Sequence, residues 1–568
     1  RIIVAQLEED GLLEHIEPYR HSVGHCDRCD NVVEPIITNQ WYVKMEPLAK
    51  PARDAVASGE TRIIPERFAR VYFNWMDNIR DWCISRQLWW GHRIPVWYCD
   101  DCDEVIVELD DPTICDACGS SALRQDEDVL DTWFSSGLWT HSTLGWPNDS
   151  EDLDYFYPTS VMETGYDIIF FWVARMMMMG IENMGASPFH TVYLHGLVLD
   201  PEGVKMSKTR GNVLDPLQLI DIYGADALRF ALTIGNSPGN DQRLNEQKLE
   251  ASRNFANKLW NAARFVMGNL EGAGAALDGW HSPDLPTHRQ DRWIMSRLNR
   301  LTEQVEQFMQ DYQFGEAQRA IHDFFWHEYA DWYIEMAKIR LRSDGDDEES
   351  PLPYLAYVLE RVLRMLHPFM PFVTEEIWQA LKDAPDALIV AEYPDANADF
   401  YDEEAEDDIS LVMETVRSIR NLRAEFRIQQ HQRIEAVLDL PQDGAVAEAE
   451  ADVIKMLARV EPLKFGAESN GAISNDSVSL VLSKGVVTIP LGGLVDLDKE
   501  RERLRSEIAD IELNRDRLAV RLSDERFLSR APDEVVERER ERLESIEERK
   551  GRAEDILARL GWVGRARA

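Results

Sequence analysis

At Asn245 the hydrophobic pattern of this 568-residue chain changes period, so one layer architecture cannot serve both sides of that point. From about 71 to 245, strand-like apolar runs such as Thr191 to Leu199 alternate with helical ones such as Asp167 to Met179 and Asp226 to Leu232. That alternation predicts a parallel sheet with helices on its faces. Beyond it, apolar residues recur at three- and four-residue steps: Leu259, Trp260, Ala263 and Phe265, then Ile294, Leu298, Leu301 and Val305, then Ala320, Ile321, Phe324 and Phe325. The expectation is a helix bundle. The aromatic run Phe324 to Tyr333 lies at the same spacing and reads as core rather than as a base-stacking platform.

An acidic stretch, Asp402 to Asp408, reads as a linker to a small mixed α/β unit over 410 to 490, with strand-like Ile434 to Leu440, Ser477 to Leu482 and Val486 to Ile489. From Leu494 a seven-residue repeat takes over. Leu497, Leu504, Ile511 and Leu518 are joined by Ile508 and Leu522, and after a break at Ser529 to Asp533 by Val536, Leu543, Ile546, Leu557 and Leu560. Two antiparallel helices of a coiled coil fit this pattern.

Charge narrows the setting. The chain carries 61 basic residues, only 13 of them lysine, against 103 acids, a formal net charge of −42 spread along its length. Such a balance normally argues against a nucleic-acid partner, because phosphate binding rests on Lys and Arg. Diffuse acidity with scarce lysine suits concentrated salt, where screening shortens the repulsion, and a halophilic archaeal source is expected. Within 499 to 552, however, 15 basic residues nearly balance 16 acids, and this local relief suits contact with a polyanion. The chain begins at Arg1 without a leader-like segment, and upstream sequence is expected. Its longest apolar stretch, Val161 to Met179, contains Glu163, Asp167 and Arg175, which excludes an ordinary membrane span. A cytoplasmic monomer with no membrane association is expected.

Six of the seven cysteines fall in CxxC pairs. Cys99, Cys102, Cys115 and Cys118 are spaced so that two tight knuckles can present four thiolates tetrahedrally, which predicts zinc rather than a disulfide framework. Cys26 and Cys29 make half of such a site, and four-coordinate zinc there requires two more ligands. Cys83, without a pair, is expected to pack beside Trp82.

The densest chemical signal is Lys205-Met206-Ser207-Lys208-Thr209, between Gly203 and Gly211 and just after the run Leu194-His195-Gly196-Leu197-Val198. Two lysines three apart on a Gly-flanked loop can clamp a polyphosphate and stabilise charge on departing pyrophosphate. This segment resembles the lysine-rich signature loop of class I aminoacyl-tRNA synthetases. Its companions Cys83 to Pro95, Asp126 to Ser136 and Thr164 to Trp172, in the family's order, narrow the likeness to the valine-specific branch. At Leu88-Trp89-Trp90 the isoleucine branch usually has tyrosine at the middle position. Thr209 and Arg210 depart from the commoner serine and leucine, although a hydroxyl is kept.

The resemblance implies a Rossmann-like catalytic core, and it assigns 1–70 to the tail of an editing domain with its junction, and 71–245 to the core's second half, interrupted by a zinc ribbon at 98–124. It further assigns 246–400 to a helical anticodon-binding domain, 401–490 to the small α/β unit and 491–568 to a coiled-coil tRNA-binding arm. The implied reaction is ATP-dependent activation of valine to valyl-adenylate and transfer to tRNA(Val), with hydrolytic editing of mischarged Thr-tRNA(Val). By the same likeness Lys205 and Lys208 are catalytic, with Met206, Ser207 and Thr209 shaping the ATP-binding loop. Gly165 and Asp167 hold the ribose, and His195 to Val198 border the adenine. Trp90 and Trp133 wall an amino-acid slot that excludes isoleucine by size but cannot reject threonine, hence the separate hydrolytic site. Magnesium accompanies ATP, and the partner pair for Cys26 and Cys29 lies upstream. The His-Ile-Gly-His type signature is absent from these residues, so the chain alone is expected to be inactive in valine activation. Two competing readings are an isoleucine- or leucine-specific relative and a non-catalytic tRNA- or zinc-binding fragment.

Overall fold

The computed structural model describes residues 2–26, 29–206, 211–270, 280–342, 350–381, 387–466, 477–492, 497–523 and scattered helical positions between 536 and 557. It divides into two compact units, 1–195 and 196–568.

The first unit is organised by a three-stranded parallel sheet in the order Arg62–Ile64, Phe189–His195, Thr159–Gly165. Helices cover it because their buried faces are made for close approach. Glu46–Ser58 presents Ala49, Ala52 and Ala55 at three-residue steps, and the Tyr72 hydroxyl of the Arg67–Asp77 helix donates to the Ala52 carbonyl at 3.0 Å. The Arg175–Met184 helix buries Met176, Met177 and Met178 in the same core. Ahead of it, Tyr166–Ile168 is a tight 3-10 turn and Ile169–Ala174 winds as a wider π-type turn, so the single helix expected over 167 to 179 is built from three geometries. An antiparallel ribbon of Val96–Cys99, Val105–Val107 and Leu123–Gln125 forms a separate small sheet.

In the second unit, Val198–Leu199 pairs in parallel with Gln242–Arg243, and long helices follow: Glu246–Leu270, Arg289–Gln310, Leu352–Leu366 and Glu403–Glu425. The bundle expected from the period change is present. Phe324, Phe325, Tyr329, Trp332 and Tyr333 are buried in its core, as their spacing predicted. One fully buried ion pair locks it. Arg340 grips Asp291 through two hydrogen bonds of 2.7 and 2.9 Å, and the Tyr333 hydroxyl donates to the same carboxylate at 2.6 Å.

The acidic run 402 to 408 is not a linker. Asp402 caps the Glu403–Glu425 helix by accepting the Ala405 N–H, and the acids that follow form its first two turns. They are held by arginines of the Arg289–Gln310 helix: Arg292 to Asp402 at 2.6 Å, Arg300 to Glu406 at 2.6 Å and Arg289 to Asp408 at 2.9 Å. Acids at a helix N-terminus also complement its dipole, which is why so charged a segment is ordered.

The small sheet runs Val460–Phe465, Ile434–Asp439, Gly485–Pro490, Ser477–Leu482, with the first pair parallel and the rest antiparallel. The edge strand Val460–Phe465 escapes the pattern because Glu461, Pro462 and Lys464 break its alternation. After it, Leu497–Ser523 is one 27-residue helix. Ion pairs Arg521 to Glu539 at 3.2 Å and Glu512 to Lys550 at 2.8 Å join it to helical positions that run back alongside. The side chains of Leu497 and Leu504, and the segment 524–535 with the expected break, lie outside the described residues. No helix among the described residues is long and apolar enough to cross a membrane.

Candidate functional site

In parallel sheets, ligands bind beyond the carboxyl ends of the strands. Gly165 and His195 are register partners at that end, on neighbouring strands. A Cβ on Gly165 would lie 2.7 Å from the Asp167 Oδ1 and 3.5 Å from the His195 ring. Glycine therefore lets the Asp167 carboxylate fold back over the strand end, and three residues expected to bind nucleotide converge. The His195 Nε2 also lies 3.3 Å from a Glu163 carboxylate oxygen, a neighbour the sequence reading did not single out. A carboxylate, an imidazole and bare backbone at one strand end suit a sugar with two hydroxyls and a flat base.

The lysine loop belongs to the second unit. Lys205 bridges to Leu199, next to Val198, and Met206 is half-buried. Ser207, Lys208 and Thr209 lie outside the described residues. What holds the loop's neck is visible. Asp200, 6% exposed, accepts the Val204 N–H at 2.6 Å and the Asn212 side-chain amide at 2.8 Å. These bonds, the amide first, keep the Asp200 carboxyl below the usual carboxylate range. The local sequence carries little sign of this pair beyond the tight-turn composition of Asp200-Pro201-Glu202-Gly203. Gly196 is obligatory at the loop's approach: a Cβ there would sit 1.8 Å from the Asn240 carbonyl oxygen.

Of the two expected pocket tryptophans, Trp133 is half-buried and stacked on Phe171 at 5.9 Å. It is anchored by Asp131, whose carboxylate accepts the Trp133 N–H at 3.3 Å, the Trp82 indole N–H at 3.0 Å and an Arg86 N–H at 2.8 Å. Trp90 is 92% exposed, on a loop whose ends, Arg86 and Arg93, both pair with Val129. Cys83 is half-buried with its thiol 3.6 Å from the Gln40 side-chain oxygen, next to the buried Trp82.

The sulfurs of Cys99, Cys102, Cys115 and Cys118 lie within 4.8 Å of one another, with Cys99 to Cys118 and Cys102 to Cys115 both at 3.6 Å. Four sulfurs about 2.3 Å from one zinc ion stand about 3.8 Å apart, so the set fits the metal and is far too long for disulfides. The backbone N–H of Asp101 leads in lowering the Cys99 thiol to about 7, while Cys102 and Cys118, against the pull of the Glu104 and Ser120 N–H groups, are raised by the neighbouring sulfurs. Each knuckle closes alike. Asp103 N–H bonds the Cys99 carbonyl at 2.9 Å, and Gly119 N–H the Cys115 carbonyl at 2.7 Å. The Cys26 hairpin repeats this with Asp30 N–H at 2.9 Å, yet among the described residues only Cys99, Cys102, Cys115 and Cys118 form a cluster of three or more ligands.

One feature of the bundle had no sequence signal. A groove of about 790 Å³ is lined by Lys258, Lys338, Arg417 and Arg420, with Asp331 and Glu335 as its acids. Arg417 and Arg420 stand 5.3 and 5.6 Å from the Trp332 ring centre. These cations come from three separate helices, which is why no local pattern announced them.

Comparison with known proteins matches these parts in order. Residues 28–245 fit the tRNA synthetases class I (I, L, M and V) family, 291–438 the anticodon-binding domain of tRNA ligase, and 496–561 the valyl tRNA synthetase tRNA binding arm. A Rossmann-type core with an anticodon-binding domain is the architecture of a class I aminoacyl-tRNA synthetase. The solved methionyl-tRNA synthetase of Mycobacterium tuberculosis in complex with methionyl-adenylate shares the fold, with TM-score 0.50 and 18% identity over 62% of this chain and 65% of that one. The valine–tRNA ligase of Dehalococcoides mccartyi strain CBDB1 is 54% identical over 97% of this chain, and that of Symbiobacterium thermophilum 48% identical over 99%. Over nearly its whole length the chain is thus similar to valine–tRNA ligases. It spans 62% and 63% of the lengths of these two relatives.

Proposed function

We propose that the chain serves ATP-dependent activation of valine and its transfer to tRNA(Val), within a reaction scheme that includes editing of Thr-tRNA(Val). The convergence of Gly165, Asp167 and His195 at the carboxyl end of the parallel sheet carries this reading. Asp167 accepts the ribose hydroxyls and His195 borders the base. The valine carboxylate attacks the α-phosphorus, the bond to the β-phosphate oxygen breaks, and pyrophosphate leaves. Lys205 and Lys208 neutralise the departing charge, with Ser207 and Thr209 shaping the loop, so catalysis is positioning plus electrostatics. Magnesium bound with ATP supplies further charge neutralisation on the phosphates. Trp133 and Trp90 wall the amino-acid slot, and identity to valine–tRNA ligases favours valine over isoleucine or leucine.

Cys99, Cys102, Cys115 and Cys118 hold a structural zinc, and Cys26 with Cys29 contributes half of a second site. The cationic groove beside Trp332 takes tRNA. The helices joined by Arg521 to Glu539 and Glu512 to Lys550 form an antiparallel coiled-coil arm that braces it, since 512 and 521 meet 550 and 539 in reverse order. The protein acts as a cytoplasmic monomer. Its acidity is read as adaptation to salt; the relatives named above are bacterial, and an archaeal source finds no support among them. The test is calorimetric binding of a non-hydrolysable valyl-adenylate analogue. Saturable binding weakened by Asp167→Ala is expected, whereas an isoleucyl analogue binding equally well, or binding indifferent to Asp167, refutes the assignment.

A further inference from the structure

The strand register at the foot of the lysine loop sets a second cation beside Lys205. Leu199 pairs in parallel with Arg243 on one side and bridges to Lys205 on the other, so the three residues stand in one row across three chain segments. Directly paired residues send their side chains out of a sheet on the same face. Lys205 and Arg243 therefore project together, two strand spacings or about 10 Å apart at their backbones, with the half-buried Leu199 between them.

The backbone around Arg243 is fixed while its head group is uncommitted. The Gln242 N–H donates to the Leu197 carbonyl at 3.0 Å and the Leu244 N–H to the Leu199 carbonyl at 3.1 Å. The guanidinium itself lies against the turn that opens the loop: a Cβ on Gly203, whose φ is +83°, would stand 2.9 Å from both Nε and Nη2 of Arg243. Among the described residues no carboxylate or other acceptor pairs with that exposed guanidinium. The nearby acids are engaged elsewhere. Asp200 accepts the Val204 N–H and the Asn212 amide, and Asp241 accepts the Leu197 N–H at 2.7 Å.

The two cations differ in shape. Lysine is a compact point charge, whereas the guanidinium is a planar fork that takes two oxygens of one phosphate group at once. Two long side chains rooted about 10 Å apart suit an extended polyanion with several oxygens better than a lone carboxylate.

We propose that Arg243 is a substrate-contacting residue of the nucleotide site, gripping the terminal phosphate of ATP, and then the departing pyrophosphate, from the side opposite Lys205. The inference rests on the reading of the lysine loop as a triphosphate clamp, and adds to it a cation delivered by the sheet from outside the loop. The forked grip strengthens as charge moves onto the leaving group, which favours its departure.

Calorimetric titration of the full chain with inorganic tripolyphosphate tests this, with Lys205→Ala as the reference variant. Arg243→Gln should weaken binding about tenfold or more, with the melting temperature unchanged because the side chain is exposed. Arg243→Lys should recover part of that loss, since the charge is kept and the fork is not. The difference between the parent and Arg243→Gln should narrow between about 50 and about 500 mM salt, a dependence that mere packing against Gly203 would not produce. Weakening by Lys205→Ala but not by Arg243→Gln overturns the inference and leaves the loop reading standing, and a loss in Arg243→Gln that is the same at every salt concentration overturns it too. Indifference to both substitutions overturns the inference together with the reading on which it rests.

Discussion

Asp200 and Asn212 close the lysine loop at its neck: the Asn212 amide donates to one Asp200 oxygen at 2.8 Å, while the other oxygen accepts the Val204 N–H at 2.6 Å. They are twelve positions apart in sequence, and the lysines lie between. A loop pinned at both ends loses less entropy when its ammonium groups settle on phosphate. Asn212→Ala should therefore weaken binding of inorganic tripolyphosphate to the chain several-fold, by calorimetry, and should expose the loop to protease. Unchanged affinity in a folded variant would remove Asp200 from the site's machinery.

The cysteine centre makes a compositional prediction. Cys99→Ser should reduce bound zinc from about one per chain to a small fraction by elemental analysis, and chelation should lower the thermal midpoint of the parent alone. Since the ligands are thiolates, acidification must also release the metal. Retention of zinc by Cys99→Ser would place the metal elsewhere.

Much of this centre was legible beforehand, because CxxC spacing and knuckle geometry are local properties. The lysine loop is a signal of the same local kind, a run of five residues, of which Ser207, Lys208 and Thr209 lie outside the described residues. What escaped lies between distant positions. Asp200 with Asn212, the helix-capping role of the acids at 402 to 408, and Arg175 under Trp82 become meaningful only once tertiary partners are known. The acidic run misled for a physical reason: unpaired, such a charge density resists folding, and its arginine partners lie about a hundred residues upstream.

His141 predicts the pH response of the first unit. It is wholly buried, between Thr140 at 3.1 Å, the Asn183 amide at 3.0 Å and the rings of Trp146 and Tyr157. Burial pushes its pKa below the usual 6.5. The unfolded chain then takes up the proton first, so this contribution to stability is complete above about pH 6.5 and falls as the pH drops towards the folded value. The slope for one proton is at most about 1.4 kcal/mol per pH unit. Urea midpoints between pH 7.5 and 5.5 should decline more steeply for the parent than for His141→Gln, and equal slopes would contradict the assignment.

The Asp291 and Arg340 pair predicts an asymmetry in the bundle. Both are buried, and removing one partner strands a charge, so Arg340→Met should cost about 3–5 kcal/mol in denaturant unfolding. Replacing both, as Asp291→Leu with Arg340→Met, should recover part of that loss. The Tyr333 hydroxyl, left without its acceptor, limits the recovery. A double variant as unstable as Arg340→Met would mean that packing rather than charge dominates there.

The groove at Trp332 has to attract a polyanion to a chain of net charge −42. At 0.1 M salt the Debye length is about 10 Å, so acids farther away are screened while cations at contact are not. Lys258 is paired with Asp331 and Lys338 with Glu335, which leaves Arg417 and Arg420 as the local excess beside the ring. If tRNA lies in this groove, Arg417→Ala and Arg420→Ala should each weaken binding and each reduce the salt slope by about one, as expected for lost phosphate contacts. Filter binding of tRNA(Val) from 50 to 200 mM salt measures both quantities. Slopes unchanged in the arginine variants would move the RNA to another face and leave the groove a feature of packing alone.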